Sequence, residues 1–284
     1  MPITLEHVSY TYAAGTAYAA GALEDVSLTV PDGAFVGIMG KTGCGKSTLI
    51  QLMAGLLTPT CGRVLVDGLD INEKAYDRKL LRRRVGVVFQ HPEHQLFETT
   101  VERDVAFGLK HHGLSKDEVQ QAVREALEAV GFDYEQVKDR SPLSFSGGEK
   151  RRIAIAGVLA VKPGILILDE PIAGLDPLGR EAFLVLLEKL NKQGTTILMI
   201  SHNADAISEY ADHVLILEQG KVLLQGSAAE VLSERELLRS HGIGLSQASQ
   251  IAALLEKKGV PMEHGTIRYA DLLRQMIAYG RGQQ

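Results

Sequence analysis

No run of this sequence approaches the roughly 18 apolar residues that a membrane-spanning helix needs. The longest candidate, Ile153 to Val161, is about half that length and consists mostly of small residues. Cysteine is scarce. Cys44 and Cys61 are the only two, which excludes a disulfide scaffold, fits a reducing compartment and forms no metal-ligand spacing. Positive charge is not in excess: 30 Lys and Arg face 35 Asp and Glu, and the net charge of −5 argues against a general nucleic-acid binder. The opening residues, MPITLEHVSY, carry neither a basic n-region nor an apolar h-region, so no export signal is read and a cytoplasmic location is expected. Internal repeats and low-complexity segments are missing too. What remains is a 284-residue chain, long enough for one large α/β domain and a small appendage.

The stretch that organises it is Gly40 to Thr48, GKTGCGKST. Phe35 to Met39 is an apolar run of strand length, and Ser47 to Leu57 has apolar residues at helical spacing, so the glycines sit where a buried strand turns into a helix. That is the context a phosphate-binding loop requires. Gly40, Gly43 and Gly45 let successive backbone N–H groups converge on an anion, and the helix N-terminus adds its own donors and positive dipole end. Lys46 supplies a charge for the β- and γ-phosphates, and the Ser47 hydroxyl suits Mg²⁺. Thr42, Cys44 and Thr48 complete the loop, where backbone contacts tolerate many side chains. Cys44 reads as structural filler, with a thiol that oxidants can reach.

Ahead of the loop, Ile3 to Val8 and Leu23 to Val30 alternate apolar and polar residues, as strands of an antiparallel patch do. Between them Tyr12 precedes a small-residue loop, and it reads equally well as a purine-stacking aromatic or as an edge-strand tyrosine. Pro59 to Val66 with Asp67-Gly68 predicts a hairpin, and Val85 to Phe89 a further buried strand ending at Gln90. From Val101 to Phe145 the pattern is helical, with a capping box at Ser115 and Glu118, so a helical insertion is expected between two core strands. It ends in SFSGGEKRR, where Ser146 and Glu149 form a second capping-box pattern and Ser146-Gly147-Gly148 make another anion-ready helix start. The short basic clusters Arg82 to Arg84 and Lys150 to Arg152 each abut a motif and read as solvated helix faces or local ion-pair sites.

Gly164 to Glu170 is a buried strand with two carboxylates at its exit. Asp169 can hold Mg²⁺ through its water shell, and Glu170 points to the other side, where water can attack a γ-phosphate. Ala173-Gly174-Leu175-Asp176-Pro177 turns into the helix Leu178 to Asn191, and Thr195 to Ile200 is another strand with Ser201-His202 at its exit. Val214 to Gln225 makes a closing hairpin. Beyond it Glu230 to Leu238, Ser246 to Lys258 and Ala270 to Tyr279 predict three short helices, a small appendage suited to interaction.

The order GKTGCGKST, VVFQ, SFSGGEKRR, ILILDEP, AGLD and then a histidine after ILMIS resembles the nucleotide-binding subunit of ABC transporters over about the first 230 residues. Gln90-His91-Pro92-Glu93-His94-Gln95-Leu96-Phe97-Glu98, Arg151 to Ala160 and Ala173 to Pro177 are most similar to the ATPases of energy-coupling factor transporters. The long loop after Tyr12 and Gly179-Arg180 resemble the second, A′-type subunit. This resemblance implies a P-loop ABC ATPase domain over residues 1–225, a helical subdomain over about 91–160 inserted in it, and a C-terminal dimerisation appendage over 226–284. It implies ATP and Mg²⁺, with Tyr12 stacked on adenine, Lys46, Ser47 and the loop on the phosphates, Asp169 supporting the metal through water and Gln90 coupling the metal site to the membrane partner. Glu170 polarises the attacking water, and His202 contacts the γ-phosphate. Ser146, Gly147, Gly148 and Glu149 act on ATP held by a partner ATPase, with Asp176 at the interface. Glu93, His94, Gln95 and Glu98 face the membrane partner. The implied assembly is a paralogous ATPase, or a second copy, with a transmembrane energy-coupling subunit and a substrate-binding membrane subunit, peripheral on the cytoplasmic face and powering uptake of vitamins or metal ions. Another bacterial ABC importer is the alternative, and a soluble ABC-type ATPase on DNA or ribosomes lacks its usual coiled-coil insertion or basic face here. Phe145 and Glu149 depart from the usual LSGGQ signature at its first and last positions, and Glu149 brings a carboxylate toward the ATP.

Overall fold

The computed structural model describes residues 3–282; residues 1, 2, 283 and 284, which belong to the expected N-terminal strand region and C-terminal appendage, lie outside it. In chain order come β1 (Ile3–Tyr12), β2 (Ala20–Val30), β3 (Phe35–Met39), α1 (Lys46–Met53), β4 (Cys61–Val66), β5 (Leu69–Asp70), α2 (Arg78–Arg84) and β6 (Val85–Val88). The insertion carries α3 (Val101–Ala106), α4 (Lys116–Ala129), α5 (Tyr134–Val137) and α6 (Gly147–Leu159). The core resumes with β7 (Ile165–Asp169), α7 (Pro177–Lys192), β8 (Thr196–Ile200), α8 (Ala204–Tyr210), β9 (His213–Glu218) and β10 (Lys221–Ser227). Four helices close the chain: α9 (Ala228–Ser233), α10 (Arg235–Ser240), α11 (Gln247–Lys257) and α12 (Tyr269–Gly282).

Two sheets form. The antiparallel sheet runs β2-β1-β4-β5, and the larger one runs β10-β9-β3-β8-β7-β6 with every pairing parallel except β9 with β10. Every residue of β3, β7 and β8 is buried, which explains why these strands read as unbroken apolar runs instead of alternating ones. Their alternation survives as a division between two cores. Phe35, Met39, Leu166, Leu168, Ile197 and Met199 face one core, with the insertion helices and α7 to α9, whereas Val36, Ile38, Ile165, Ile167, Leu198 and Ile200 face the other, under α1 and the antiparallel sheet. The parallel sheet is therefore covered on both faces, and its only polar outlets are the strand ends.

Helix boundaries differ from the sequence reading in two places. The loop helix stops at Met53 rather than Leu57, because Gly55 takes φ 67° and Leu56 N–H turns back to the Gln51 carbonyl at 2.8 Å. The helix expected over Glu230 to Leu238 is two, α9 opened by the Ser227–Glu230 capping box and α10 begun after Glu234, whose ψ of 57° breaks the run. Val231, Leu232, Leu238, Ile243 and Ile267 join the first core, while Ala248, Ala252 and Leu272 of α11 and α12 make a small cluster of their own. Arg268 ties this end down by donating to the carbonyls of Ser208 and Ala211 at 2.9 and 3.2 Å, at the end of α8.

Packing over β3 leaves no room at Gly37, where an added Cβ falls 2.6 Å from Ile207 Cγ2 on α8. Gly37→Ala is expected to lower stability by about 1–3 kcal/mol through overpacking. Ile207→Ala in the same chain is expected to recover part of that loss, which thermal unfolding of the two single variants and the double variant measures.

Candidate active site

Parallel pairing brings three strand ends to one edge. β3 lies beside β8, and β8 beside β7, with Ile38 opposite Ile200 and Asp169 opposite Ile200, so the loop after Met39, the carboxylates at 169 and 170 and the Ser201-His202 pair emerge together. The loop then curls as its glycines allow. Gly40, Gly43 and Gly45 all have positive φ, and Gly45 at φ 107° precedes the first turn of α1. Lys46 is buried, and its ammonium donates to the carbonyls of Gly40 and Lys41 at 2.6 and 2.9 Å, so the loop is folded around its own cation. Cys44 is also buried, with its sulfur 3.9 Å from that ammonium, and its carbonyl accepts the Gly220 N–H at 3.0 Å. The side chain fills core, as expected of it.

The Ser47 hydroxyl donates to Asp169 Oδ2 at 3.2 Å, which sets two oxygen ligands side by side. Glu170 follows with φ 48°, a left-handed backbone that turns its carboxylate away from the line of the strand. There it accepts the His202 N–H at 3.0 Å, lies 3.6 Å from the His202 imidazole nitrogen and meets the Ser201 hydroxyl at 3.5 Å. Burial pushes both carboxyls above their ordinary range. The Ser47 hydroxyl and the Lys46 charge oppose this at Asp169, and the His202 charge and N–H oppose it at Glu170. Two partly desolvated carboxylates beside a hydroxyl are an arrangement that a divalent cation relieves. Among the described residues no group of three or more His, Cys, Asp or Glu is placed to hold a metal alone, so a cation here needs phosphate and water as further ligands, the manner of Mg²⁺.

Tyr12 stands at the end of β1, which lies between β2 and β4 and is not an edge strand. Its ring is 41% exposed, packs edge-on to Tyr10 and shares a 3.0 Å hydrogen bond with the buried Thr48 hydroxyl. The phenol is thus fixed to the phosphate-loop helix while a ring face stays open. Thr42 and Gln90 are exposed, and Gln90 leaves just past β6, the strand paired with β7.

The second constellation lies elsewhere on the chain. Ser146 caps α6, and Glu149 closes the capping box, its carboxylate accepting the Ser146 hydroxyl at 2.7 Å and the Ser146 N–H at 2.9 Å. These two bonds hold the Glu149 carboxyl below its ordinary range. Ser146, Gly148 and Glu149 share a crevice of about 500 Å³ with Asp176, which caps α7. Gly147 is exposed between them. In the coupling segment His94 and Gln95 are exposed, whereas Glu93 is turned inward and Glu98 already faces Lys110 at 3.4 Å. Pattern reading missed one residue. Arg151, taken with its neighbours as part of a basic cluster, is 5% exposed and bonds the carbonyls of Glu170 and Ala173. Its position four residues before the buried Ile155 is the available signal, and a charged residue type conceals it.

A family model described as ABC transporter matches residues 23–173. The energy-coupling factor transporter ATP-binding protein EcfA2 of Symbiobacterium thermophilum is 51% identical over 259 residues, covering 91% of this chain and 90% of its own length. The protein of the same name from Caldanaerobacter subterraneus subsp. tengcongensis is 44% identical over 99% of both chains. Among solved structures, cbiO1 from Clostridium perfringens, described as part of the ABC transporter complex cbiONQ, superposes with a TM-score of 0.73 at 39% identity, over 89% of this chain and 98% of that one. The ATP-binding cassette MJ0796, solved as a dimer in a post-hydrolysis state with ADP and Pi, gives 0.71 at 31% identity, over 80% and 98%. Identity at this level along nearly the whole of both partners decides the family: the chain belongs to the ABC transporter ATPases, among the ATP-binding proteins of energy-coupling factor transporters.

Proposed function

We propose that this chain binds and hydrolyses MgATP as the A′-type ATPase of a membrane importer for vitamins or other micronutrients, metal ions among them. The observation that carries the reading is the meeting of Ser47 with Asp169 beside a Glu170 that His202 holds in place. Backbone N–H groups of the loop and Lys46 hold the phosphates, for which the ammonium exchanges its present carbonyl partners. Ser47, Gln90 and, through water, Asp169 would hold Mg²⁺, which neutralises phosphate charge when bound. Glu170, made more basic by burial, favoured in its ionised form by His202 and aimed by its turn, orients and deprotonates the attacking water, while the His202 imidazole contacts the γ-phosphate. Tyr12 offers its ring to the adenine.

The crevice of Ser146, Gly147, Gly148, Glu149 and Asp176 serves the ATP of a second ATPase, paralogous or identical, with Asp176 at the interface. Neither half is complete alone, so ATP favours the closed pair and hydrolysis releases it. No helix among the described residues is long and apolar enough to cross a membrane, so contact with the bilayer runs through partners: an energy-coupling transmembrane subunit and a substrate-binding one. The exposed His94 and Gln95 face the first, and Phe97 of the same segment forms an exposed edge-to-face pair with Phe107 at 4.9 Å. Residues 1–225 make the ATPase domain, with the helical subdomain over about 91–160, and the appendage pairs the two ATPases. Its α12 exposes Leu273, Met276 and Ile277, a face that such pairing covers.

The chain, tagged and purified from membranes, is expected to bring with it a second ATPase and small integral membrane proteins, identified by mass spectrometry. Glu170→Gln is expected to lower ATP turnover of that complex at least about a hundredfold. Full turnover with no membrane partner would point instead to a soluble ABC-type ATPase. Glu149→Gln removes the charge that competes for the Ser146 hydroxyl and is expected to tighten ATP-driven pairing several-fold, about 3–10 times, as read by sedimentation of the Glu170→Gln chain.

A further inference from the structure

The three basic residues that open α6 part company in the fold. Lys150 and Arg152 are partly exposed, and Arg152 lies over the Phe132 ring while donating to the Val130 carbonyl at 3.1 Å. Arg151 is buried. A guanidinium withdrawn from water is costly unless it is both paired and hydrogen-bonded, so its partners define what it is for.

On one side its two terminal nitrogens donate to main-chain carbonyls, to Glu170 at 2.6 Å and to Ala173 at 2.5 Å. These carbonyls bound the turn that follows the catalytic carboxylate and leads to Asp176. The turn needs holding, because Glu170 has a left-handed backbone that its side chain disfavours. Its other restraints include the Glu170 N–H on the Ile200 carbonyl at 3.1 Å, the Ala173 N–H on the Glu170 carbonyl at 3.2 Å, and the His202 N–H and Ser201 hydroxyl on the Glu170 carboxylate at 3.0 and 3.5 Å. On the other side Arg151 faces Glu93. Glu93 meets the His91 ring nitrogen through Oε1 at 3.1 Å, whereas its Oε2 and Arg151 Nε are both buried without a hydrogen-bond partner, and the two charges act on each other. Glu93 belongs to the 3₁₀ turn Pro92–Gln95, whose own His94 and Gln95 are exposed and which packs directly on α6. The turn that carries Glu93 thus packs on the helix whose Arg151 grips the catalytic turn.

We propose that Arg151 is a positioning residue that ties the Pro92–Gln95 turn to the Glu170–Ala173 turn, so that a membrane partner moving the outer turn changes how Glu170 is aimed. Glu93 is the inner end of this link and not a grip for the partner's cations. A fork whose two terminal nitrogens hold two carbonyls is fixed in its plane, so it cannot follow a displaced Glu93 without loosening them. Because Ala173 leads to Asp176, the same displacement reaches the crevice that receives the second ATPase's nucleotide. The inference rests on the reading of Glu170 as the base that aims water.

The test is a double-mutant cycle in the purified membrane complex. Glu93→Gln keeps the shape and removes the charge, and Arg151→Lys keeps the charge and removes the fork. Each is expected to lower kcat about tenfold with KM for ATP within about twofold, because aim is lost and phosphate binding is not. Together they are expected to be no worse than the more damaging single variant, since both break one link. A double variant slowed by the product of the two single effects would overturn the proposal, as would a loss expressed in KM. Glu93→Gln, which leaves every main-chain bond of Arg151 possible, keeps the test open should Arg151→Lys fold poorly. Turnover retained by Glu170→Gln would refute the reading of the base, whereas the cycle reports on the link itself.

Discussion

Parallel pairing of β3, β8 and β7 is what the catalytic arrangement hangs on. All three strands are buried on both faces, so none can slip by a residue without moving its apolar side chains from one core to the other. With the register held, the strand ends are held, and the phosphate loop, the acidic pair and Ser201-His202 meet at a single edge. Polar groups from different segments then meet there, Ser47 with Asp169 and Glu170 with His202, while Lys46 bonds the loop it belongs to. The site is assembled by hydrophobic burial and only tuned by its hydrogen bonds.

That arrangement has a cost that substrate relieves. Asp169 and Glu170 are pushed toward protonation by burial, and Lys46 spends its donors on carbonyls of its own loop. A polyanion with a divalent cation would supply charge and acceptors to these groups, which is the physical ground for the proposed MgATP site. The Ser146 hydroxyl, by contrast, is already satisfied by Glu149 within its own helix turn. One half of the chemistry is therefore poised for ligand and the other half is closed on itself, in keeping with the proposed action of Ser146 on a second subunit's nucleotide.

Two kinds of contact leave the core. The insertion reaches the catalytic edge through the buried Arg151, and the appendage comes near it where His241 pairs with Glu218 at 2.5 Å, just before the hairpin turn whose Gly220 N–H bonds Cys44 in the phosphate loop. Both additions thus touch the nucleotide site by way of main-chain carbonyls or hairpin ends, not by adding catalytic side chains.

Local chemistry was enough to read the loop, the buried strands, the two capping boxes and the acidic exit from the sequence, because each depends on residues within one turn or one strand length of each other. Glycine's positive φ at 40, 43 and 45, the serine caps at 115 and 146 and the apolar runs at 35, 165 and 196 are all of that kind. Contacts that join distant segments could not be read in this way. A buried arginine and a solvated one share a sequence pattern, so Arg151 passed for surface charge, and Glu93 passed for an outward-facing acid, until packing of α6 on the Pro92–Gln95 turn put both inside. The split of the helix at Glu234 escaped for the opposite reason: α9 and α10 each follow the core they pack on, and tertiary burial overrode a local preference for one continuous helix. Sequence by itself determined which groups can hold a phosphate; only the tertiary structure decided which of the remaining charges are turned inward, because burial is a property of the whole packed chain.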